Sequence, residues 1–304
     1  VSARGDHLAV VSQDGVQLFD LPDLVPASHQ LAAVDFLQPA QTAHLRFSRQ
    51  GDRLAAARVN GAESQLLVWK LDETAPQVQS QTLDLSISAI AFSHDDRALL
   101  VGNASIDNPD FPGDPVGIRA YAVEGGDLIQ VWQPDDEHDL WQPHRMSISD
   151  LAAGTDGTRL YSVGARDRSL KIWDAQGDLL QTHKRPNNVF GAFRVAVTDD
   201  QEMIAVSWRD NRITLVDRNG LQRGILLGHH DVISSLSFTL DGRTLVSTSW
   251  DGTIRIWDVP LAQLRTTLQV GPHRILGGGI TANGQWIVSL TEGGQLAVWD
   301  CTLP

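Results

Sequence analysis

Residues 228–258 read GHHDVISSLSFTLDGRTLVSTSWDGTIRIWD, and this stretch decides the fold of the chain. It contains three apolar runs, ISSLSF, RTLVSTS and TIRIWD, which are separated by turn residues. The pairs Asp241-Gly242 and Asp251-Gly252 punctuate the two gaps. Because Asp-Gly between apolar runs is the strongest short-range hairpin signal, the stretch predicts three consecutive antiparallel strands.

The third of these runs recurs along the chain. Its counterparts are VQLFD (16–20), LLVWK (66–70), GIRAY (117–121), LKIWD (170–174), ITLVD (213–217) and LAVWD (296–300). The residues at its Trp position are Phe19, Trp69, Tyr121, Trp173, Val216, Trp257 and Trp299, at spacings of 50, 52, 52, 43, 41 and 42. The last three spacings match a repeat of about 40–45 residues, and the first three are that period plus insertions.

Both faces of most predicted strands carry apolar residues, as expected for strands that lie between two neighbouring sheets. No window shows a sustained helical period, and β-sandwiches do not repeat at this spacing. We count seven hairpins of the same kind, which predicts seven small sheets.

The stretch 228–258 also closely resembles a WD40 repeat. It has the Gly-His pair at 228–229, the turn residue Asp251 and the closing pair Trp257-Asp258. The resemblance covers essentially the whole chain and implies an all-β, seven-bladed WD40-type β-propeller of four-stranded antiparallel blades. We expect a single domain with blades at about 1–40, 41–84, 85–140, 141–183, 184–227, 228–270 and 271–304.

The first and last blades are expected to be incomplete, since the pattern starts after one inner strand and stops before one outer strand. Members of the WD40 family commonly close by pairing upstream residues into the last blade. We therefore expect roughly thirty residues before Val1, as part of a longer chain, to complete these blades.

The composition excludes several classes of protein. The formal net charge is −13, which argues against non-specific binding to nucleic acid, because phosphate contacts need clustered Lys and Arg. Cys301 is the one cysteine, so no internal disulfide can form, and a reducing, cytoplasmic compartment is expected. No apolar run is long enough to predict a membrane span.

His229, Ser247 and Asp251 look at first like a hydrolytic constellation. The WD40 resemblance implies instead that they join Trp257 in a buried, structural chain of hydrogen bonds, in which each polar group gains a partner.

Other blades carry parts of this set. The Trp173 blade has His144 and Asp167, with Val163 at the Ser position, and the Trp299 blade has His273 and Ser289, with Gly293 at the Asp position. We therefore expect the blade of residues 228–258 to be the best anchored.

A partner-binding surface is predicted at the rim. In WD40 proteins the residues just before the turn Asp point to the rim of the top face, and here they are Arg166, Arg209 and Trp250. Arg194 and Trp208 fall on the same set of blades. Arg and Trp are typical of interaction hot spots, and such a surface suits an acidic peptide or loop of a protein partner. The alternative is that the arginines are simply solvated and that Trp208 is packed between blades.

Two insertions, at 104–115 and 132–144, interrupt the repeat. They form a candidate acidic lobe that includes Asp107, Asp110, Asp135, Asp136, Trp132 and Trp141. A solvated decoration and a partner-binding lobe both fit this composition. A Ca²⁺ site is a third alternative, although the carboxylates lack an ordered ligand spacing.

These observations favour a non-enzymatic interaction scaffold that needs no metal or cofactor, since the chain has neither a Gly-x-Ser-x-Gly elbow nor a Walker loop. One alternative is a sensor or regulatory propeller attached to an upstream NTPase, protease or kinase domain. Another is an enzyme with its site at the channel mouth.

Overall fold

In the residues that the computed structural model describes, every element of regular secondary structure is a short β-strand in an antiparallel sheet. The structure describes residues 1–304 except 3–4, 13–14, 28–30, 32–41, 72–77, 105–115, 124–127, 133–143, 145–146, 185–190 and 302–304. The chain divides into two compact units, Ser2–Ala153 and Gly154–Pro304. No helix long and apolar enough to cross a membrane occurs in the part of the chain that is described.

The first three sheets follow one another along the chain. Sheet one has the order β1-β2-β3, at His7–Ser12, Gly15–Asp20 and Val25–Pro26. Sheet two has the order β4-β5-β6-β7, at Thr42–Phe47, Arg53–Asn60, Glu63–Lys70 and Val78–Leu83. Sheet three runs from β8 to β11, at Ser86–Phe92, Ala98–Ala104, Ile118–Ala122 and Ile129–Trp132.

Four further sheets have the same plan. Sheet four has the order β12-β13-β14-β15, at Ile148–Ala153, Arg159–Gly164, Ser169–Asp174 and Leu179–Lys184. Sheet five is β16-β17-β18-β19, at Ala192–Val197, Met203–Trp208, Ile213–Asp217 and Gln222–Leu226. Sheet six is β20-β21-β22-β23, at Ile233–Phe238, Thr244–Ser249, Thr253–Asp258 and Gln263–Gln269. Sheet seven is β24-β25-β26, at Ile275–Ile280, Trp286–Thr291 and Leu296–Asp300.

Each sheet is one blade, and the predicted fold class, an all-β seven-bladed β-propeller with three-stranded first and last blades, is confirmed. The strands lie within the predicted blade ranges, except that β15 extends one residue past 183.

The turn residues fix the strand register of blade six. Gly252 has a φ of +77°, and a side chain there would overlap the carbonyl oxygen of Gly271, so only glycine fits this turn. Beyond the turn, Leu245 pairs with Trp257 and Ser247 pairs with Arg255. Side chains of alternate residues therefore leave opposite faces of the blade.

Both faces of the central strands are buried. In the unit Gly154–Pro304, one apolar cluster joins blades five and six, with Leu215, Ile233 and Trp257 among its members. A second cluster joins Val246 and Ile254 to the last blade. A blade therefore buries its apolar residues against its neighbours, which is why the repeat has to recur.

The glycine run of β24 shows how closely neighbouring blades pack. A Cβ on Gly278 would overlap the backbone oxygen of Val288 and would lie 3.0 Å from the methyl group of Thr248. A Cβ on Gly277 would meet no described atom within 4 Å. The two adjacent glycines therefore differ, because only Gly278 is required by packing.

We predict that Gly278→Ala lowers the free energy of unfolding by about 1–3 kcal/mol, because the backbone of β25 has to move to admit the methyl group. The matched variant Gly277→Ala should stay within about 0.5 kcal/mol of wild type. Urea unfolding of both variants checks this difference, and equal costs at the two positions would contradict the packing described for β24.

Candidate interaction site

Four side chains of blade six form a continuous chain of hydrogen bonds. Nδ1 of His229 lies 2.9 Å from Oδ2 of Asp251, and Nε2 of His229 lies 2.7 Å from Oγ of Ser247. The indole Nε1–H of Trp257 donates to the same Oγ at 2.8 Å. These bonds connect the start of the blade to both strands of its central hairpin.

Asp251 is the acceptor at one end of this series of hydrogen bonds. Besides His229, it accepts the backbone N–H of His230 and of Thr253, each at 2.9 Å, and the hydroxyl of Thr253 at 2.6 Å. Burial alone would raise the pKa of Asp251, but these hydrogen bonds hold it well below its usual range. Burial lowers the pKa of His229, against the opposing effect of Asp251.

This geometry is structural in character. Ser247 has no exposed surface, and its hydroxyl oxygen is already engaged by His229 and Trp257. A substrate cannot reach that oxygen in the folded blade, so the three residues cannot act as a hydrolytic triad there.

Blade four shows the same bond at a position that the sequence reading misses. The indole of Trp173 donates to Oγ of Ser162 at 2.8 Å, so the prediction that Val163 occupies the Ser position is wrong. Ser162 pairs with Lys171, and the hairpin between them is one residue longer than the hairpin between Ser247 and Arg255. Counting four residues back from the turn residue, as from Asp251 to Ser247, therefore gives Val163 in blade four instead of Ser162.

Two blades leave polar atoms of this set without a partner. In blade two, Ala56 stands at the Ser position, and the buried Nε1 of Trp69 has no hydrogen-bond acceptor. In blade seven, the buried Oγ of Ser289 has no partner, and His273 is exposed beside Gly293. The set is therefore unevenly distributed over the blades.

The predicted rim residues separate into two groups. Arg166 and Arg209 are exposed, and Arg194 and Trp250 are half-buried. Trp208 is only 3% exposed and donates its indole N–H to the hydroxyl of Thr214 at 3.0 Å. Its prediction as a partner-binding residue is wrong, because its side chain packs inside blade five.

Aromatic rings hold three of the cations at this edge. Cζ of Arg194 lies 4.1 Å from the centre of the Phe193 ring, and Cζ of Arg209 lies 5.3 Å from the same centre. Cζ of Arg274 lies 4.9 Å from the centre of the Trp250 ring. Sequence reasoning missed Phe193 and Arg274, although each stands near the start of the first strand of a blade, where the same rim is built.

We call Arg166, Phe193, Arg194, Arg209, Trp250 and Arg274 the Arg–aromatic surface. Within the described residues, no carboxylate forms an ion pair with Arg166, Arg209 or Arg274. A guanidinium that stacks on an aromatic face keeps its N–H edges free to bind a carboxylate in a bidentate manner. The surface is therefore suited to an anionic group.

The other predicted site residues fall mostly outside the described part of the chain. Asp107, Asp110, Asp135, Asp136 and Trp141 lie outside the described residues, and only the backbone of Trp132, at the end of β11, is described. Asp150 forms an ion pair with Arg46 at 2.6 Å. The described part of the chain holds no cluster of three or more His, Cys, Asp or Glu side chains that suits a metal ion.

The blades, their closing Trp-Asp pairs and the buried chain of hydrogen bonds define a class, the repeat β-propellers. The family profile described as "WD domain, G-beta repeat" matches residues 138–174 and 220–258. The chain therefore carries WD40 repeats at these two stretches, within a seven-bladed β-propeller.

Several curated proteins are similar to most of the chain. Transcription factor unc-37 of Caenorhabditis elegans is 23% identical over 231 residues, which cover 76% of this chain and 34% of that protein. The WD repeat-containing protein 26 homolog of Arabidopsis thaliana is 25% identical over 222 residues, which cover 71% and 33%.

Pre-mRNA-processing factor 17 of Saccharomyces cerevisiae is 28% identical over 182 residues, covering 52% of this chain and 39% of that protein. The chain thus spans about a third of the length of the first relatives it matches.

We predict that Ala56→Ser raises the free energy of unfolding by about 1 kcal/mol, because the new hydroxyl can accept the indole N–H of Trp69. The same substitution in a Trp69→Phe background should give no gain. Urea unfolding of the four proteins measures this coupling, and an equal effect of Ala56→Ser in both backgrounds would show that no such bond forms.

Proposed function

We propose that this chain is a non-enzymatic scaffold for protein–protein interaction, and that a partner binds the Arg–aromatic surface. The relatives support the general role, since they are WD-repeat proteins whose names place them in transcription and pre-mRNA processing. Scaffolding fits the buried hydrogen-bond network of blade six, which serves structure rather than chemistry.

The observation that carries the proposal is that Arg166, Arg209 and Arg274 of this surface form no ion pair within the described residues. The chain has a formal net charge of −13, yet Arg209 and Arg274 are exposed and form no ion pair with a carboxylate in the part of the chain that the structure describes. A local positive patch on an acidic protein attracts anionic segments of a partner, and it does not repel the acidic remainder of its own surface. The proposed partner is therefore a protein with an acidic peptide or loop.

The aromatic rings supply the second half of a hot spot. Trp250 and Phe193 are half-buried, so each offers apolar area beside a guanidinium that its ring holds in place. Fixing an arginine in advance lowers the entropy lost when it binds a carboxylate.

A second candidate role is that of a propeller within a longer protein. The chain spans about a third of the length of its relatives, which favours a propeller that serves as a regulatory module beside other domains. In this version the Arg–aromatic surface binds an acidic segment of an effector in the same protein or complex. A cytoplasmic location is proposed from the single cysteine.

We predict that Arg209→Glu weakens binding to a partner by about tenfold or more, since a charge-assisted hydrogen bond is lost and a repulsive charge is added. Partners are recovered by affinity purification with quantitative mass spectrometry, and each is then purified and titrated against the variants. Trp250→Ala should weaken the binding of the same partners.

The matched control is Arg243→Glu, which reverses an exposed charge at the opposite end of β21 from Trp250. It should leave affinity unchanged. Equal losses from Arg209→Glu and Arg243→Glu, or no loss from either Arg209→Glu or Trp250→Ala, would place the partner elsewhere.

A further inference from the structure

The first strands of four blades share a bulge at the same place. The residues inserted by the bulge are Ser88, Phe193, Ser234 and Leu276. The residues that follow them are Ala89, Arg194, Ser235 and Gly277. Bulges redirect side chains, and they recur beside functional sites. Phe193 and Arg194 of the Arg–aromatic surface thus have direct counterparts in the last blade, namely Leu276 and Gly277.

Gly277 has no structural reason to be glycine. Its backbone is outside the left-handed region, and an added Cβ would meet no described atom within 4 Å. The bulge does not require glycine either, since the same position holds Arg194 in blade five and Ser235 in blade six. Glycine weakens a strand interior, and an unforced glycine there often marks close approach of a ligand or another chain.

Leu276, beside this open position, is an exposed apolar side chain. It is 49% exposed and is absent from the apolar cluster that its neighbours Ile275 and Ile280 form with blade six. Within the described residues, Gly277 therefore has room for a further side-chain carbon and has an apolar residue beside it.

Hydrogen bonds tie this space to the cationic part of the surface. Nε of Arg194 donates to the carbonyl oxygen of Ser234 at 2.7 Å, which connects β16 to β20. Oγ of Ser235 donates to the carbonyl oxygen of Gly278 at 2.8 Å, which connects β20 to β24. Arg194 lies on β16 and Gly277 lies on β24, with β20 bonded to both strands. The two hydrogen bonds therefore connect the strand of Arg194 to the strand that carries the open position at Gly277.

We propose that the partner segment carries an apolar side chain close in sequence to its acidic residue. The acidic group binds Arg209, beside the Phe193 ring that Arg194 also contacts. The apolar side chain fills the space above Gly277 against Leu276. This inference rests on the proposed function of the Arg–aromatic surface and specifies the peptide it recognises. The arginine charge favours acidic segments over others. Among acidic segments, the open position at Gly277 favours those whose apolar residue stands at the right distance in sequence from the acidic residue.

The test uses capped, fluorescently labelled peptides of about eleven residues with two central glutamates in a Gly-Ser background. One leucine is moved through every other position, and a peptide without leucine is the reference. Fluorescence anisotropy should show that leucine at one spacing improves affinity by about tenfold, as expected when a leucine side chain becomes buried.

Gly277→Leu fills the open space and should abolish this gain, while affinity for the peptide without leucine stays unchanged. Gly277→Ala should retain most of the gain. The thermal midpoint of Gly277→Leu should not fall below that of wild type, because an added Cβ meets no described atom and glycine weakens a strand interior. Leu276→Ser provides a second variant and should reduce the gain without filling the space.

The outcomes separate the two proposals. A gain at no spacing, or a gain that survives in Gly277→Leu, overturns the pairing of acidic and apolar residues. If acidic peptides still bind and lose affinity in Arg209→Glu, the Arg–aromatic surface stands. If no acidic peptide binds, both the acidic specificity of that surface and the apolar subsite are overturned.

Discussion

The structure of the best-formed blade depends on the satisfaction of one buried carboxylate. Asp251 can be buried only because four donors converge on it, from His229, from Thr253 and from two backbone N–H groups. His229 in turn lies against Ser247, which accepts the indole of Trp257. One side-chain network thus fixes the start of the blade, its hairpin turn and its third strand, and the sheet geometry follows from those three points.

The turn that buries the carboxylate of Asp251 also leaves the side chain of the preceding residue accessible to solvent. Trp250 and Arg209 precede the turn Asp in consecutive blades, and each is accessible to solvent because the turn itself needs only the Asp and the residue that follows. A rigid turn therefore positions a side chain that the turn itself does not require. This separation explains how buried structural residues and surface arginines can alternate along the chain.

The repeat period and the hairpins could be predicted because they depend on residues close together in sequence, whereas the network of blade six was expected from the resemblance to a WD40 repeat. Ser162 was misplaced because the length of a turn, rather than distance from Asp167, decides which residue faces Trp173. The burial of Trp208 and the stacking of Arg209 on Phe193 depend on side chains from different strands, which a local pattern does not specify. The open space at Gly277 is likewise a property of neighbouring strands, and a run of three glycines looks uniform in sequence.

Hydrogen exchange in an Asp251→Ala variant tests most directly whether this network holds the blade. The variant removes the acceptor of four hydrogen bonds, so the opening free energy of amides in residues 228–258 should fall by about 2–4 kcal/mol. Amides of β17 and β18 in the preceding blade should change much less, because stability in repeat folds is largely local. An unchanged opening free energy in residues 228–258, or an equal fall in both blades, would contradict the account.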